Sequence, residues 1–105
     1  MVLVETPIFT RRIQEMMTDD EYRPLQMYLK QHPNAGVVIP GSGGLRKIRW
    51  SYSGKGKRGG VRVIYYWVVQ RSILLMLYIY PKNERGDLTK QQLKLLSRVV
   101  QEEYP

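Results

Sequence analysis

The chain has no cysteine in its 105 residues, which excludes disulfides, thiolate metal sites and thiol nucleophiles. His32 is the sole histidine. It sits beside Pro33 at the expected end of a helix and reads as a surface residue, so no histidine cluster exists to hold a transition metal. The longest apolar stretch, "ILLMLYIY" at 73–80, falls well short of the ~20 residues that cross a bilayer. The N-terminus, "MVLVETPIFTRR", lacks a basic region followed by a long apolar run and does not read as a signal peptide. The expected setting is the cytoplasm, without membrane association. Acidic residues are scarce where they would matter most: between Glu21 and Glu84 there is none, against eleven lysines and arginines. A two-carboxylate hydrolase or a Mg²⁺ nuclease therefore has nothing to work with in the middle of the chain, and no cofactor is expected.

What is present is positive charge. The net charge is +8 and the isoelectric point about 9.9, a balance that suits a polyanionic partner such as nucleic acid. The apolar share of 43% and charged share of 25% are those of a folded globular domain. At this length the chain reads as a single domain, 1–105.

The hydrophobic pattern predicts an α+β fold with two N-terminal helices, one C-terminal helix and an antiparallel sheet of about four strands. Residues 2–9 read as a strand. Thr10 is a candidate cap for a helix running to Met17. In "TDDEYRPLQMYLKQHP", Thr18 caps a second helix through a capping box with Glu21, and Pro33 stops it. "GVVIPGSGG" is a short strand and a glycine-rich turn. "LRKIRWSY" alternates, with Ile48, Trp50 and Tyr52 on one face and Lys47, Arg49 and Ser51 on the other. "SGKGKRGG" is a loop, "VRVIYYWVV" a strand, and "RSILLMLYIYPK" a strand apolar on both faces, suited to the sheet's interior. "ERGDLTKQQLKLLSRVVQEEY" closes the chain as an amphipathic helix capped by Asp87 or Thr89.

Strands 45–52 and 61–69 should pair as a hairpin. With Tyr52 opposite Val61, Ser51 faces Arg62, Arg49 faces Ile64 and Lys47 faces Tyr66. Lys47, Arg49 and Arg62 then share one face, under a loop carrying Lys55, Lys57 and Arg58. In the following strand Tyr78, Tyr80 and Lys82 share a parity that could bring Lys82 to the end of the same face. Cross-strand cation pairs cost up to ~1 kcal/mol each, a cost that phosphate groups would offset. Neighbouring cations also disfavour the protonated form of Lys47, which would let it serve as a base. The aromatic residues Trp50, Tyr65, Tyr66 and Trp67 read as core rather than as base-stacking platforms.

Lys, Arg and Tyr alone are sufficient for one reaction. RNA carries its own nucleophile in the 2′-OH, so an enzyme need only take that proton, stabilise the phosphorane and protonate the leaving 5′-oxygen. A non-enzymatic nucleic-acid or ribosome-binding module would use the same face.

"GGLRKIRW", "GKGKRGGVRVIYYW" and "IYPKNERGDLT" resemble, in order and spacing, the RelE superfamily of bacterial toxins, most closely its HigB-like branch. The resemblance implies a microbial RNase-like fold and a toxin of a type II toxin–antitoxin pair that enters the ribosomal A site and cuts mRNA without a metal, halting translation. It implies a cognate antitoxin, often with a helix-turn-helix part, and contact with operator DNA only through that antitoxin. Lys47 and Arg49 match the two basic residues of one sheet strand, Arg62 the phosphate-stabilising arginine of the next, and Lys82 the basic position after the last strand. Lys55, Lys57 and Arg58 fall in a glycine-lysine loop expected to touch RNA, with Arg46, Asn83 and Arg85 as further contacts. The chain has Asn83 and Thr89 where RelE itself has an arginine and a tyrosine, so the resemblance passes an acid or base role to Tyr80 or Lys82. ParE-like relatives, which poison DNA gyrase, share the architecture and lack this concentration of basic residues.

Overall fold

A computed structural model describes residues 1–52, 60–82 and 88–105. In chain order they form β1 (Val2–Glu5), α1 (Pro7–Met16), α2 (Asp19–Gln31), β2 (Val37–Val38), β3 (Arg46–Trp50), β4 (Val61–Val68), a 3₁₀ turn (Val69–Arg71), β5 (Ile73–Pro81) and α3 (Lys90–Glu103). The sheet has five described strands in the order β1-β5-β4-β3-β2. It is mixed: β1 runs parallel to β5, and the other neighbours are antiparallel. The expected sheet was wholly antiparallel with about four strands. The difference arises because β1 lies on the far edge beyond β5, while α1 and α2 carry the chain across to β2 on the opposite edge.

The first helix begins earlier than the hydrophobic pattern suggests. Thr6, not Thr10, is its cap: the Thr6 hydroxyl accepts from the Phe9 N–H at 3.2 Å, and Pro7 fills the first helical position, where a missing N–H does no harm. Thr10 instead donates to Glu5 at 2.7 Å. Helix α2 starts as expected, with the reciprocal Thr18–Glu21 capping box and three acidic residues at its positive end. Helix α3 is capped by Thr89 through a matching box with Gln92.

Two cores lie on the two faces of the sheet. On one, α1 and α2 bring Phe9, Ile13, Leu25 and Leu29 against Val61, Val63, Tyr65 and Met76. On the other, α3 brings Val100 against Leu45, Ile64, Leu75 and Leu77. Strand β5 is covered on both faces, which accounts for its near-continuous apolar sequence. Its alternation breaks once. Ile64 pairs with Tyr78 and Tyr65 with Met76, so Leu77 is an extra residue, and Leu77, Tyr78 and Tyr80 all face α3.

Two buried tyrosines tie the helical side together. The Tyr22 hydroxyl donates to Glu5 at 2.8 Å; burial, followed by the Glu5 carboxylate, pushes its pKa far above that of a free tyrosine. The Tyr65 hydroxyl donates to the Pro33 carbonyl at 2.7 Å and accepts from the Gly36 N–H at 2.8 Å, and burial raises its pKa as well. Groups held above their unfolded pKa contribute stability that is complete below pH ~10 and is lost as pH rises past it. We therefore expect the denaturation midpoint to hold up to about pH 10 and then fall. Urea unfolding between pH 8 and 12 measures this, and Y22F should flatten the decline.

Candidate functional site

The hairpin of β3 and β4 forms, two residues away from the expected register. Trp50, not Tyr52, lies opposite Val61; Arg49 lies opposite Arg62 and Lys47 opposite Ile64. A two-residue slip leaves every side chain on its original face, so alternation in the sequence cannot detect it. Gly60 supplies the local reason. Its φ is +58°, and a Cβ built there would stand 2.1 Å from the Trp50 carbonyl oxygen. Only glycine allows the chain to turn back this tightly against Trp50.

The register brings the basic residues closer than expected. Arg49 and Arg62 are directly opposed on β3 and β4, and Tyr80 of β5 is opposite Arg62 on its other side. Lys47 is two residues along β3 on the same face, opposite Ile64, whose side chain belongs to the α3-side core. Arg49 is exposed, Lys47 and Arg62 are half-buried, and Tyr80 is only 3% exposed. The Arg62 guanidinium donates to the Val61 carbonyl at 3.3 Å. Lys82, exposed, follows β5 directly, and its N–H donates to the Gly60 carbonyl at 3.1 Å, fixing its backbone beside the start of β4. No carboxylate occurs anywhere on β3, β4 or β5.

Tyr80 differs in setting from the other members. Its ring packs 6.1 Å from that of Tyr78, and Arg12 of α1 stacks 4.7 Å from the Tyr78 ring centre. It forms part of the floor of the face rather than a group standing out from it.

Arg46 is turned to the other side of the sheet. Its guanidinium donates to the carbonyls of Asn34 and Gly36, at 3.3 and 2.8 Å, and so holds the turn leading into β2. The aromatic residues are core, as their spacing suggests: Tyr65 is fully buried, Trp50 and Trp67 pack on the helical side and Tyr66 on the α3 side. His32 caps the end of α2 beside the Tyr28 ring, on the helical side. Lys55, Lys57, Arg58, Asn83 and Arg85 lie outside the described residues. Among those described, no group of three or more His, Cys, Asp or Glu residues could hold a metal, and no helix is long and apolar enough to cross a membrane.

One element had no signal in the sequence. A cleft of about 310 Å³ opens beside Lys47, lined by β2 and the two residues after it (37–40), by Leu88 and Leu93, and by Ile64 and Tyr80. Its walls come from segments some fifty residues apart, and no local motif announces a recess built that way.

No protein-family model matches the chain. Solved structures with the same fold exist. The isolated E. coli RelE toxin aligns over 93% of this chain and 97% of its own, with a TM-score of 0.59 and 10% identity. A free-state mutant of E. coli RelE with two arginines changed to alanine aligns over 93% and 94%, with a TM-score of 0.60 and 10% identity. The intact E. coli RelBE toxin–antitoxin complex contains a chain aligning over 80% of this one and 98% of its own, with a TM-score of 0.61 and 14% identity. At these identities the likeness is one of fold, and the fold is that of RelE.

Proposed function

We propose that this chain is the toxin of a type II toxin–antitoxin pair, a metal-independent endoribonuclease that cuts mRNA in the ribosomal A site, related to the HigB-like branch. The observation that carries this reading is the direct opposition of Arg49 and Arg62, flanked by Lys47 and Lys82, on three strands without a carboxylate. Like charges opposed on a sheet are destabilising, and the planar forks of two arginines match the oxygens of a phosphate.

In the proposed reaction Lys47 takes the proton of the ribose 2′-OH. The freed oxygen attacks the adjacent phosphorus, Arg49 and Arg62 stabilise the charge on the phosphorane, and Lys82 protonates the departing 5′-oxygen. Tyr80 supports Arg62 from the neighbouring strand. The RNA-contact roles of Lys55, Lys57, Arg58, Asn83 and Arg85 belong to the same proposal. So does a cognate antitoxin, since a structural neighbour of this chain was solved in complex with one.

The bond changes fix the products: one fragment ends in a 2′,3′-cyclic phosphate and the other begins with a 5′-hydroxyl. Adding the protein to a translating extract should give mRNA breaks within ribosome-bound codons bearing those ends. Translation arrest without breaks would point instead to a binding module, and loss of gyrase supercoiling to a ParE-like activity. Breaks ending in a 5′-phosphate would rule out attack by the 2′-OH.

A further inference from the structure

Strand β5 outruns its outer neighbour. Its inner edge pairs with β4 from Ile73 to Pro81, apart from the extra residue Leu77, but β1 pairs only with Ile73–Met76. Beyond Met76 the outer edge of β5 meets side chains instead of a strand. The Thr6 hydroxyl donates to the Leu77 carbonyl at 3.2 Å, and the Arg12 Nε–H donates to the Ile79 carbonyl at 2.7 Å. Thr6 also caps α1, so one residue fixes both where the helix starts and where it sits on β5. Arg12 follows on that helix between the buried Phe9 and Ile13, at the margin of the apolar face, and reaches two residues further along the strand.

The same guanidinium lies 4.7 Å from the centre of the Tyr78 ring, which stands 6.1 Å from the ring of Tyr80. Tyr78 is half-buried and lines a groove of about 160 Å³ shared with Ile8 and Leu95, so packing on that side does not hold its ring. Arginine suits the position, since one planar group can donate to a carbonyl and stack on a ring at once.

We propose that Arg12 is a positioning residue for the RNA cleavage, an inference that rests on the endoribonuclease reading. It acts through the end of β5. Ile79 is followed by Tyr80, which lies opposite Arg62, and then by Lys82, the proposed acid for the departing 5′-oxygen. The bond from the Lys82 N–H to the Gly60 carbonyl restrains this end from the β4 side. Arg12 restrains it from the other. A strand end held along one edge opens locally, and a reacting group misplaced by about 1 Å can cost about 10²-fold in rate.

Single-turnover cleavage of ribosome-bound mRNA tests this with Arg12→Met and Arg12→Lys. The methionine variant should cut about 10²-fold more slowly, with its half-saturating concentration unchanged. The lysine variant keeps the charge and a donor and should recover part of the loss. A second mRNA, with sulfur in place of the scissile 5′-oxygen, separates misplacement of the acid from general loosening. Attack by the 2′-oxygen then breaks the P–S bond, and the electron pair leaves on sulfur. A thiol ionises at about pH 8.5, so the thiolate departs without a proton from Lys82. On that mRNA the deficit of Arg12→Met should largely disappear. Hydrogen exchange at the Lys82 amide should quicken in the same variant.

A deficit of equal size on both mRNAs overturns the proposal, because it would report lost structure rather than a misplaced acid. So does full activity in Arg12→Met, or a raised half-saturating concentration at an unchanged maximal rate, which would make Arg12 a direct RNA contact. Should Arg12→Met not fold, Arg12→Lys carries the same comparison between the two mRNAs. If the unaltered protein cuts neither mRNA, the endoribonuclease reading fails instead; exchange at Lys82 then still reports whether Arg12 holds the end of β5.

Discussion

Arg62→Ala is expected to lower the rate of mRNA cleavage by about 10²–10³-fold, the usual cost of removing one preorganised donor to a developing oxyanion. Arg62 occupies the middle of the proposed site, opposite Arg49 on β3 and Tyr80 on β5. Its loss removes a charge from the phosphorane and leaves Arg49 to stabilise the transition state alone. The fold should survive, because the residue is only half-buried at the edge of the α3-side core and its removal also relieves a like-charge pair. Arg62→Lys should recover part of the rate, since an ammonium supplies charge but not the two-pronged geometry. Arg46→Ala is the informative contrast. That side chain serves the carbonyls of Asn34 and Gly36 on the opposite face, so its loss should lower the melting temperature and spare the rate. Single-turnover cleavage on ribosomes, paired with thermal unfolding, separates the two outcomes. Arg62→Ala protein that folds and cuts at the original rate would remove Arg62 from the site.

Gly60→Ala is expected to be the more damaging change to the fold. The residue adopts φ +58°, and the added methyl would press to 2.1 Å from the Trp50 carbonyl. A left-handed conformation costs an alanine roughly 1–2 kcal/mol, and an overpacked contact adds roughly 1–3 kcal/mol. The backbone on both sides is engaged, through the Trp50–Val61 pair and the bond from the Lys82 N–H to the Gly60 carbonyl. We therefore expect about 3 kcal/mol of destabilisation in chemical denaturation, with activity falling further than stability alone dictates because Arg49 and Arg62 lose their alignment. Gly41 provides the control: its φ is +72°, but a Cβ there would meet nothing within 4 Å. Gly41→Ala should show the conformational cost without the clash. Equal losses from the two variants would mean that the close approach at Gly60 does not set the register.

Much of the fold was legible in advance. The Thr18–Glu21 capping box, the alternation of Ile48, Trp50 and Tyr52 against Lys47 and Arg49, and the two-sided apolar run of β5 depend on residues near one another in the chain. Local chemistry reports such features reliably. The start of α1 was missed although a signal was present, in Pro7 following Thr6. The parallel pairing of β1 with β5 had no local signal, because it joins segments about seventy residues apart.

The candidate site divides along the same line. Composition and spacing alone determined that a pair of strands free of carboxylates and rich in lysine and arginine occupies the middle of this chain, which leaves lysine, arginine and tyrosine as the groups available to the proposed reaction. Tertiary structure decided which cations meet. The pleat repeats every two residues, so a slip of that size is invisible to alternation, and it takes the paired strands, with Gly60 seated closely on Trp50, to put Arg49 across from Arg62. Alternation already puts Arg46 on the Ile48 face, away from Lys47 and Arg49; tertiary structure supplied its Gly36 carbonyl partner and opened the recess beside Lys47, whose walls come from segments that the order of residues keeps apart.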